Sequence, residues 1–297
     1  MQYRQLGASN LAVSRIGCGT WALGGRGWGA HNERQARAAL EACLEHGINF
    51  FDTAPVYGFG RSEQVLGEVL RPVRSRVIIA TKCGLAWNDS GRVHHDLSRE
   101  GLRRDLDASL RRLQTDYIDL YQIHWPDRRN PLEETLDELA GFQRSGAVRR
   151  IGVCNFSAQQ LREARGLAPV VSIQQPYNLL QQDEAREVLP LCREHTLGFI
   201  AYSPLAQGVL AGEMAAAARP GVRDVRRRNP LYRDRERYEQ AVRYAAGLPR
   251  PAAHAALRFL LDQPGVTCVL VGMTKRAHVE TNIAALDCRG ARDPADC

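Results

Sequence analysis

Lysine is nearly absent from this chain of 297 residues, because only two of its 40 basic residues are lysines and all the others are arginines. The two lysines are Lys82 and Lys275. An ammonium is more compact than a guanidinium, and its pKa responds more strongly to its surroundings. A lysine retained in an arginine-rich chain therefore indicates a position where that chemistry is needed. Codon usage with two chance survivors is the alternative interpretation.

A concentrated basic tract is also missing, although the formal net charge is +7. The basic residues are spread along the chain, whereas nucleic-acid and membrane-surface proteins gather them on one segment or face. We therefore expect neither a nucleic acid nor a membrane as a partner. No run approaches the ~18 apolar residues of a membrane span, and the first residues contain no stretch typical of a signal peptide. A cytoplasmic protein is predicted.

The eight cysteines form no CxxC pair, and most of them lie in apolar runs where cysteine acts as a small core residue. Reduced thiols are expected, with Cys288 and Cys297 near the polar C-terminus as the most exposed. A metal site is not expected, because His94 and His95 have no third ligand nearby and a zinc site needs a defined cluster of ligands.

No GxGxxG motif follows an early strand, which argues against a Rossmann dinucleotide fold. Instead, apolar runs of strand length alternate with amphipathic helical segments along nearly the whole chain. Eight such pairs predict an α/β fold of the (β/α)8 TIM barrel type, with a doubly wound sheet as the alternative. We expect residues 1–297 to form one domain, although the length alone would also permit two ordinary domains.

The predicted elements begin with a β-hairpin in residues 2–15, which would close the bottom of the barrel. A strand at 16–20 and a helix at 33–46 follow. Further strands are predicted to begin near residues 50, 77, 117, 148, 171, 198 and 268. Their helices are predicted near 62–70, 98–113, 132–145, 158–165, 183–195, 251–262 and 275–285. Two long inserts, 83–97 and 204–235, follow strands and so belong on the face that carries active sites in such barrels.

Four polar side chains end or follow predicted strands and are expected to meet at one rim. Asp52 ends a short apolar strand in the stretch GINFFDTAPVYG, Tyr57 lies in the loop beyond, and Lys82 and His124 close two later strands. A phenol has a pKa of about 10 and exchanges protons poorly at neutral pH unless a cation stabilises the phenolate. Lys82 is predicted to lower that pKa and Asp52 to hold the ammonium. His124 is predicted to orient a carbonyl or relay a proton.

At these residues the chain resembles the aldo-keto reductases, which are NAD(P)H-dependent carbonyl reductases built on a TIM barrel. GINFFDTAPVYG is similar to a signature of that family, and the four polar residues fall on its catalytic tetrad. The resemblance continues through residues 19–21, 152–156, 202–205 and 272–282. It implies hydride transfer between NADPH and an aldehyde or ketone, in either direction, with Tyr57 as general acid or base. Taken singly, the same four residues would be interpreted as capping or core residues.

The resemblance also implies a set of cofactor contacts around the rim. Asn155 and Gln174 would bind the nicotinamide carboxamide, and Tyr202 would stack under the ring. Relatives usually carry serine where this chain has Cys154, and a thiol is a weaker hydrogen-bond partner. The complete set of implied cofactor contacts is Thr20, Trp21, Asp52, Asn155, Gln174, Tyr202, Ser203, Leu205, Gln207, Gly208, Arg226, Gly272, Thr274, Lys275, His278 and Asn282.

Phosphate groups are expected near the loops after the last two strands, where backbone amides and a helix N-terminus form an anion site in such barrels. Lys275 with Arg276 would pair with a 2′-phosphate, which favours NADPH over NADH, and Arg226 would lie over the pyrophosphate. Relatives often carry Lys, Gln and Glu where this chain has Glu213, His278 and Thr281, so the adenosine contacts are expected to differ.

Four tryptophans are predicted to give the catalytic face an apolar mouth for a small carbonyl substrate; they are Trp21, Trp28, Trp87 and Trp125. Two other functions stay open at this point. Lys82 could act as the Schiff-base amine of a lyase, although pairing with Asp52 would keep it protonated and a poor nucleophile. Some aldo-keto relatives sense cofactor as channel subunits, so a binding module on the same barrel is the second alternative.

Overall fold

The strands of the protein form a closed barrel and two hairpins in the computed structural model, which describes residues 1–28, 32–212, 214, 220–222 and 224–287. The strands are β1 (Tyr3–Gln5), β2 (Ala12–Ser14), β3 (Ile16–Gly19), β4 (Phe50–Asp52), β5 (Ile78–Cys83), β6 (Leu85–Trp87), β7 (Val93–His95), β8 (Ile118–Ile123), β9 (Val148–Cys154), β10 (Val170–Pro176), β11 (Gly198–Tyr202) and β12 (Val266–Gly272). The closed barrel consists of eight parallel strands, in the order β3, β4, β5, β8, β9, β10, β11 and β12. The prediction of a TIM barrel is therefore confirmed.

Helices lie around the outside of the barrel and follow its strands along the chain. They are α1 (Glu33–Glu45), α2 (Arg61–Leu70), α3 (Arg99–Leu113), α4 (Leu132–Arg144), α5 (Ala158–Leu167), α6 (Asp183–Glu194), α7 (Pro230–Arg233), α8 (Arg235–Ala246), α9 (Ala252–Leu261) and α10 (Arg276–Ala284). In α1 the buried residues recur at helical spacing, so the helix turns one apolar stripe to the barrel. Side-chain caps define several starts, as when Ser98 accepts a hydrogen bond from the Gly101 N–H at the start of α3.

The N-terminal hairpin pairs β1 with β2 in antiparallel fashion and closes the bottom of the barrel, as predicted. Leu6, Leu11 and Val13 are buried and belong to the apolar cluster inside the barrel. Gly7, in the turn, has a φ of 59°, and a Cβ there would lie 2.4 Å from the carbonyl oxygen of Val171. Glycine is therefore needed for the turn to lie directly against β10.

The barrel interior is apolar at the bottom and polar near the carboxyl ends of the strands. Because side chains alternate along a strand, residues two apart point to the same face. The apolar interior includes Phe50, Ala80 and Leu120. Two residues further on, the same three strands carry Asp52, Lys82 and Gln122, all buried. The strands thus bring polar groups together at the rim where such barrels have their active sites.

Three parts of the fold lie where the sequence predicts no element: the β6–β7 hairpin, the short helix α7 inside the insert 204–235, and helix α8. Strands β6 and β7 form an antiparallel hairpin inside the predicted insert 83–97, and their three-residue length explains why no alternating pattern revealed them. Helix α8 follows the insert 204–235. It buries Tyr238, Ala241, Val242 and Ala245. These residues have helical spacing, but the arginines among them obscure the apolar pattern in the sequence.

The six described cysteines are buried and free. Cys288 and Cys297, expected to be exposed, lie outside the described residues, and so does Glu213. Within the described parts of the chain, no helix combines the length and the apolar character that crossing a membrane requires.

Candidate active site

Tyr57 lies in the loop that follows β4, and a close backbone contact with a neighbouring loop holds it there. Gly58 has a φ of 63°, and a Cβ at this position would lie 2.2 Å from the carbonyl oxygen of Gly24. The two loops can touch only because both residues are glycines. As a result the Tyr57 ring stacks on Trp21, with the ring centroids 5.9 Å apart.

A buried ion pair lies beside the Tyr57 ring. Lys82 Nζ donates hydrogen bonds to Asp52 Oδ1 at 2.6 Å and to the Thr53 carbonyl oxygen at 2.9 Å. The same nitrogen is 5.2 Å from the centroid of the Tyr57 ring. Lys82 is fully buried, so its charge depends on these contacts rather than on water. The structure therefore brings Asp52, Tyr57 and Lys82 together.

The second carboxylate oxygen of Asp52 is held by two glutamines. Gln174 Nε2 donates to Asp52 Oδ2 at 2.8 Å, and Gln122 Nε2 donates to the same oxygen at 3.2 Å. Sequence reasoning did not single out Gln122. The available signal is its inward position on β8, two residues after the interior Leu120, where an apolar residue would be expected.

The pKa values of the pair and of the phenol move in ways that burial and charge explain. Burial opposes the charge on Lys82, but the Asp52 carboxylate outweighs it and raises the pKa of the ammonium above its ordinary value. The pKa of Tyr57 is raised to about 12 by burial, and the Lys82 charge opposes that shift without overcoming it. Lys82 thus acts on the phenol in the predicted direction, but the net shift of the pKa is upward, because desolvation of the phenolate costs more than the nearby ammonium returns.

His124 lies edge-on to the Tyr57 ring, with the centroids 5.9 Å apart and the planes at 82°. The ring is buried, and this burial, with the charge of Lys82 and the proximity of His95, holds the pKa of His124 well below its usual range. His124 is thus a neutral imidazole at physiological pH. All four residues of the predicted tetrad meet at the rim.

We expect the His124 signal in histidine NMR spectra to stay that of a neutral ring as the pH is lowered from about 7.5 to 5.5, through the pKa of about 6.5 of a free histidine. The unfolded chain takes up a proton at this histidine in that window and the folded chain does not. The contribution of this site to folding stability should therefore decrease as the pH is lowered through that window. His124→Gln assigns the signal and should lose this contribution, and a ring that protonates near pH 6.5 would contradict the expectation.

Asn155 and Tyr202 lie together next to Cys154. The Tyr202 hydroxyl donates to Asn155 Oδ1 at 2.7 Å, and Asn155 Nδ2 donates to the His124 carbonyl oxygen at 3.0 Å. The Cys154 thiol lies 3.6 Å from Gln174 Oε1. Burial raises the pKa of this thiol to about 12, so it stays protonated and donates only weakly. The amide groups predicted to bind a carboxamide thus lie together at the rim, and their N–H groups already have partners.

Four of the other implied cofactor residues take part in side-chain hydrogen bonds. Thr20 is buried, and its hydroxyl donates to the Asp52 carbonyl oxygen at 2.9 Å. Gln207 Oε1 accepts from Asn229 Nδ2 at 3.2 Å. Thr274 Oγ1 lies 3.4 Å from His278 Nδ1.

The remaining implied residues lie in the loop after β11, at the end of β12 and in α10. Gly272 is exposed, whereas Asn282 is buried in α10. The backbone turns sharply between Ser203, with a φ of 53°, and Gly208, with a φ of 109°. Leu205 lies inside that turn, where its carbonyl oxygen accepts from the Gly208 N–H at 2.9 Å.

The three cations predicted to meet phosphate groups differ in their partners. Arg226 is paired with Asp224 in its own loop at 2.6 Å, and Arg276 is paired with Glu45 of α1 at 2.7 Å. Lys275 is exposed at the start of α10, and no described residue forms an ion pair with it. Of the three, Lys275 is the cation most available to an incoming anion.

The tryptophans surround the Tyr57 loop at different distances. Trp28 meets Trp21 edge-on, with centroids 5.0 Å apart, and Trp21 is the residue stacked on Tyr57. Trp87 packs on Phe59 at 5.2 Å, beside a shallow cleft. Trp125 follows His124 and is 44% exposed. The structure thus brings Trp21 and Trp28 to the catalytic rim, Trp87 to its side, and Trp125 to the surface.

Residues 15–290 match the family described as the aldo/keto reductase family. The chain belongs to this family. Aldo-keto reductase YhdN from Bacillus subtilis is 37% identical over 290 residues, which cover 94% of this chain and 87% of the relative. The NADH-specific methylglyoxal reductase of Escherichia coli is 34% identical, with 95% and 92% covered. A probable voltage-gated potassium channel subunit beta from Arabidopsis thaliana is 33% identical, with 97% and 92% covered.

Solved structures of aldo-keto reductases share the fold. The glycerol dehydrogenase from Gluconobacter oxydans superimposes with a TM-score of 0.84 at 32% identity, over 96% of this chain and 94% of the other. Together with the family match, this confirms the prediction of an enzyme that carries out carbonyl reduction by hydride transfer with NAD(P)H. This aldo-keto reductase therefore acts on a small molecule.

Proposed function

We propose that this aldo-keto reductase uses NADPH to reduce small aldehydes or ketones, with Tyr57 as the proton donor, and that it is a single-domain cytoplasmic enzyme. The observation that carries the proposal is the buried pair of Lys82 and Asp52, 2.6 Å apart, with its ammonium 5.2 Å from the Tyr57 ring centroid. A phenol of pKa about 12 gives up a proton at neutral pH only where its anion is stabilised. Lys82 is the group that provides this stabilisation.

The rim offers groups that suit a nicotinamide cofactor. The oxygen of Gln174 has the thiol of Cys154 as its donor, and because a thiol donates weakly this oxygen can still accept from a carboxamide. Lys275 and the first N–H groups of α10 suit a phosphate. When bound, the cofactor supplies the hydride that reaches the carbonyl carbon.

The side chains of the rim handle the proton. The Tyr57 hydroxyl donates its proton to the carbonyl oxygen as that oxygen becomes negative. Lys82 stabilises the phenolate that remains, and Asp52 keeps Lys82 charged and in place. His124 is neutral, so it can donate a ring N–H to the same carbonyl oxygen without adding a charge.

The experiment that tests this proposal is cofactor oxidation by the purified protein with a panel of carbonyl compounds. The relatives named for methylglyoxal and glycerol indicate where to begin: methylglyoxal for reduction, and glycerol with NADP⁺ for the reverse reaction. We expect NADPH consumption that depends on the carbonyl compound. The absence of turnover with every member of a broad aldehyde and ketone panel would contradict the proposal.

Lys275→Met should lower NADPH affinity about tenfold or more while leaving NADH affinity nearly unchanged. The reason is that a charge-assisted contact is worth roughly 1.5–3 kcal/mol, and only NADPH carries the 2′-phosphate. Fluorescence titration of the wild type and the variant with both cofactors measures the effect.

Lys275→Arg is the matched control, because it keeps a cation at the same position and should retain most of the preference. Equal affinity of the wild type for NADPH and NADH would refute the NADPH proposal. A clear preference for NADH would instead place this enzyme with its relative that is named as NADH-specific.

A cofactor-sensing binding module is the second candidate, and one comparison favours it: the relative named as a probable potassium channel subunit beta matches 97% of this chain. The two candidates differ in turnover. A sensor binds the cofactor and oxidises it slowly with every carbonyl tested, whereas a reductase shows a good substrate in the panel.

A further inference from the structure

The carboxylate of Asp52 has a separate set of partners for each of its oxygens. Oδ1 accepts from Lys82, while Oδ2 accepts from Gln174 at 2.8 Å and from Gln122 at 3.2 Å. We propose that Gln122 is a positioning residue, which fixes the rotation of the Asp52 carboxylate so that Lys82 is held under the Tyr57 ring. This inference rests on the proposed function of Tyr57 and Lys82.

The rotation of the carboxylate needs such a restraint. The terminal torsion of an aspartate has a broad, two-fold profile, so covalent geometry alone does not hold one oxygen toward Lys82. Two N–H donors on Oδ2 remove that freedom. Residues Lys82 and Gln122 are also direct neighbours across the β5–β8 ladder, so the amide and the ammonium approach the carboxylate from adjacent strands.

The orientation of the Gln122 amide is set by its surroundings. A flipped amide would point its carbonyl oxygen at the Asp52 carboxylate, and two acceptors repel. In the orientation that donates to Asp52, Gln122 Oε1 is buried and has no hydrogen-bond partner among the described residues. A buried carbonyl without a partner destabilises the fold. Gln122 therefore fits poorly as a stabilising residue and well as a donor to Asp52.

The barrel also makes room for this amide. Gly152 of β9 lies opposite Gln122 of β8, where the two strands pair. A Cβ at Gly152 would lie 2.7 Å from Ser172 Oγ and 3.1 Å from Gln122 Cγ. Any larger residue on β9 would push the Gln122 side chain from its place, so glycine permits the approach to Asp52.

The test compares Gln122→Met with Gln175→Met. Methionine keeps the unbranched shape of glutamine but donates no hydrogen bond. Gln175 is also a buried glutamine, whose amide donates to the Phe156 carbonyl oxygen and not to Asp52. We expect Gln122→Met to lower kcat about tenfold or more, in the range found for partners that orient catalytic groups. Its KM and NADPH affinity should change less than about threefold, and its melting temperature should not fall.

A spectroscopic measurement without cofactor or substrate examines directly how Asp52 holds Lys82. The protein has only two lysines, so selective lysine ¹⁵N labelling gives one buried signal, from Lys82, and one exposed signal, from Lys275. In Gln122→Met the Lys82 signal should shift and exchange faster, while the Lys275 signal stays in place. Gln175→Met should move neither signal and should lower thermal stability instead.

Gln122→Glu gives a second test that a purely structural role would not pass. Beside Asp52 the new carboxyl group should have a raised pKa, and in its protonated form it can donate to Asp52 Oδ2. The ratio of variant to wild-type kcat should therefore be highest at low pH and fall as the pH rises. If Gln122→Met does not fold, this ratio decides the question.

The inference is overturned if Gln122→Met keeps kcat within about twofold of wild type with an unmoved Lys82 signal, if Gln175→Met loses as much kcat, or if the Gln122→Glu ratio does not change with pH. Failure of the proposed function looks different. In that case the wild type reduces no carbonyl compound, while the Lys82 signal still responds to Gln122→Met.

Discussion

Replacing Tyr57 by phenylalanine is expected to lower kcat by about 10²–10⁴-fold, the usual contribution of a general acid. The variant loses one oxygen from the rim and none of the groups proposed to hold the phosphates or the carboxamide. Its ring can still stack on Trp21, which lies 5.9 Å from it in the wild type. NADPH affinity should therefore stay within a few-fold of the wild-type value. Steady-state kinetics with a good aldehyde and fluorescence titration measure the two effects separately.

Tyr177→Phe is the matched control, because Tyr177 packs against Phe199 and Phe259 away from the tetrad. It loses the same oxygen and should keep wild-type kcat. Chemistry must be shown to limit turnover by a deuteride isotope effect. A Tyr57→Phe variant that then retains more than about a tenth of wild-type turnover is incompatible with Tyr57 as the proton donor, and His124 becomes the next candidate.

Lys82→Met is expected to lower kcat as much as Tyr57→Phe does, and also to destabilise the fold. Without the ammonium, nothing offsets the burial that raises the pKa of Tyr57 to about 12, so the phenol becomes a still weaker acid. Asp52 would be left in a buried site without its ion partner, and breaking a buried pair in this way typically costs about 3–5 kcal/mol. Turnover and chemical denaturation measure the two losses.

The double variant Asp52→Asn with Lys82→Met separates the losses. It removes the uncompensated charge, so stability should return toward the wild-type value while activity does not. Lys82→Arg keeps the charge but replaces a compact ammonium by a broad planar fork in a fully buried site, so little rescue is expected. Substantial activity in Lys82→Met or in the double variant would remove Lys82 from the mechanism.

The tetrad could be predicted because its members lie at or just beyond the ends of apolar runs and because the stretch around Asp52 and Tyr57 resembles a family signature. A polar residue at the end of an apolar run is conspicuous, as with Asp52 and Lys82. Gln122 pairs with Lys82 in the β5–β8 ladder, but in the sequence it lies inside the apolar run that His124 closes. A single polar residue in such a run is normally interpreted as a core residue with a satisfied side chain. Its role depends on which neighbouring strand carries the carboxylate, and that information comes only with the closed barrel.

The ion pairs around the proposed phosphate site show a different limit. Arg226 and Arg276 were both predicted to meet phosphate groups, and each has an acidic partner in the structure. Glu45, the partner of Arg276, is 231 residues away in the chain, so local pattern could not reveal it. The net direction of the Tyr57 pKa shift could not be predicted for a related reason. The charge of Lys82 could be inferred from sequence, but the depth of burial that outweighs it could not.

The barrel itself was predictable because its elements repeat. Each apolar run is followed by an amphipathic helix, and eight repetitions favour closure over an open sheet. The elements that were not predicted are insertions into this repeat. Strands β6 and β7 are too short to show alternation, and α8 carries its apolar positions among arginines.

The proposed function depends on transfer of a hydride from NADPH to a carbonyl carbon, while Tyr57 supplies the proton. The most direct measurement is a single turnover of the wild type with NADPH carrying deuterium at the transferred position, followed by analysis of the alcohol. We expect one deuterium at the carbinol carbon and a slower turnover than with unlabelled NADPH. An alcohol without deuterium, or a carbonyl compound that is consumed while the cofactor stays reduced, would contradict it.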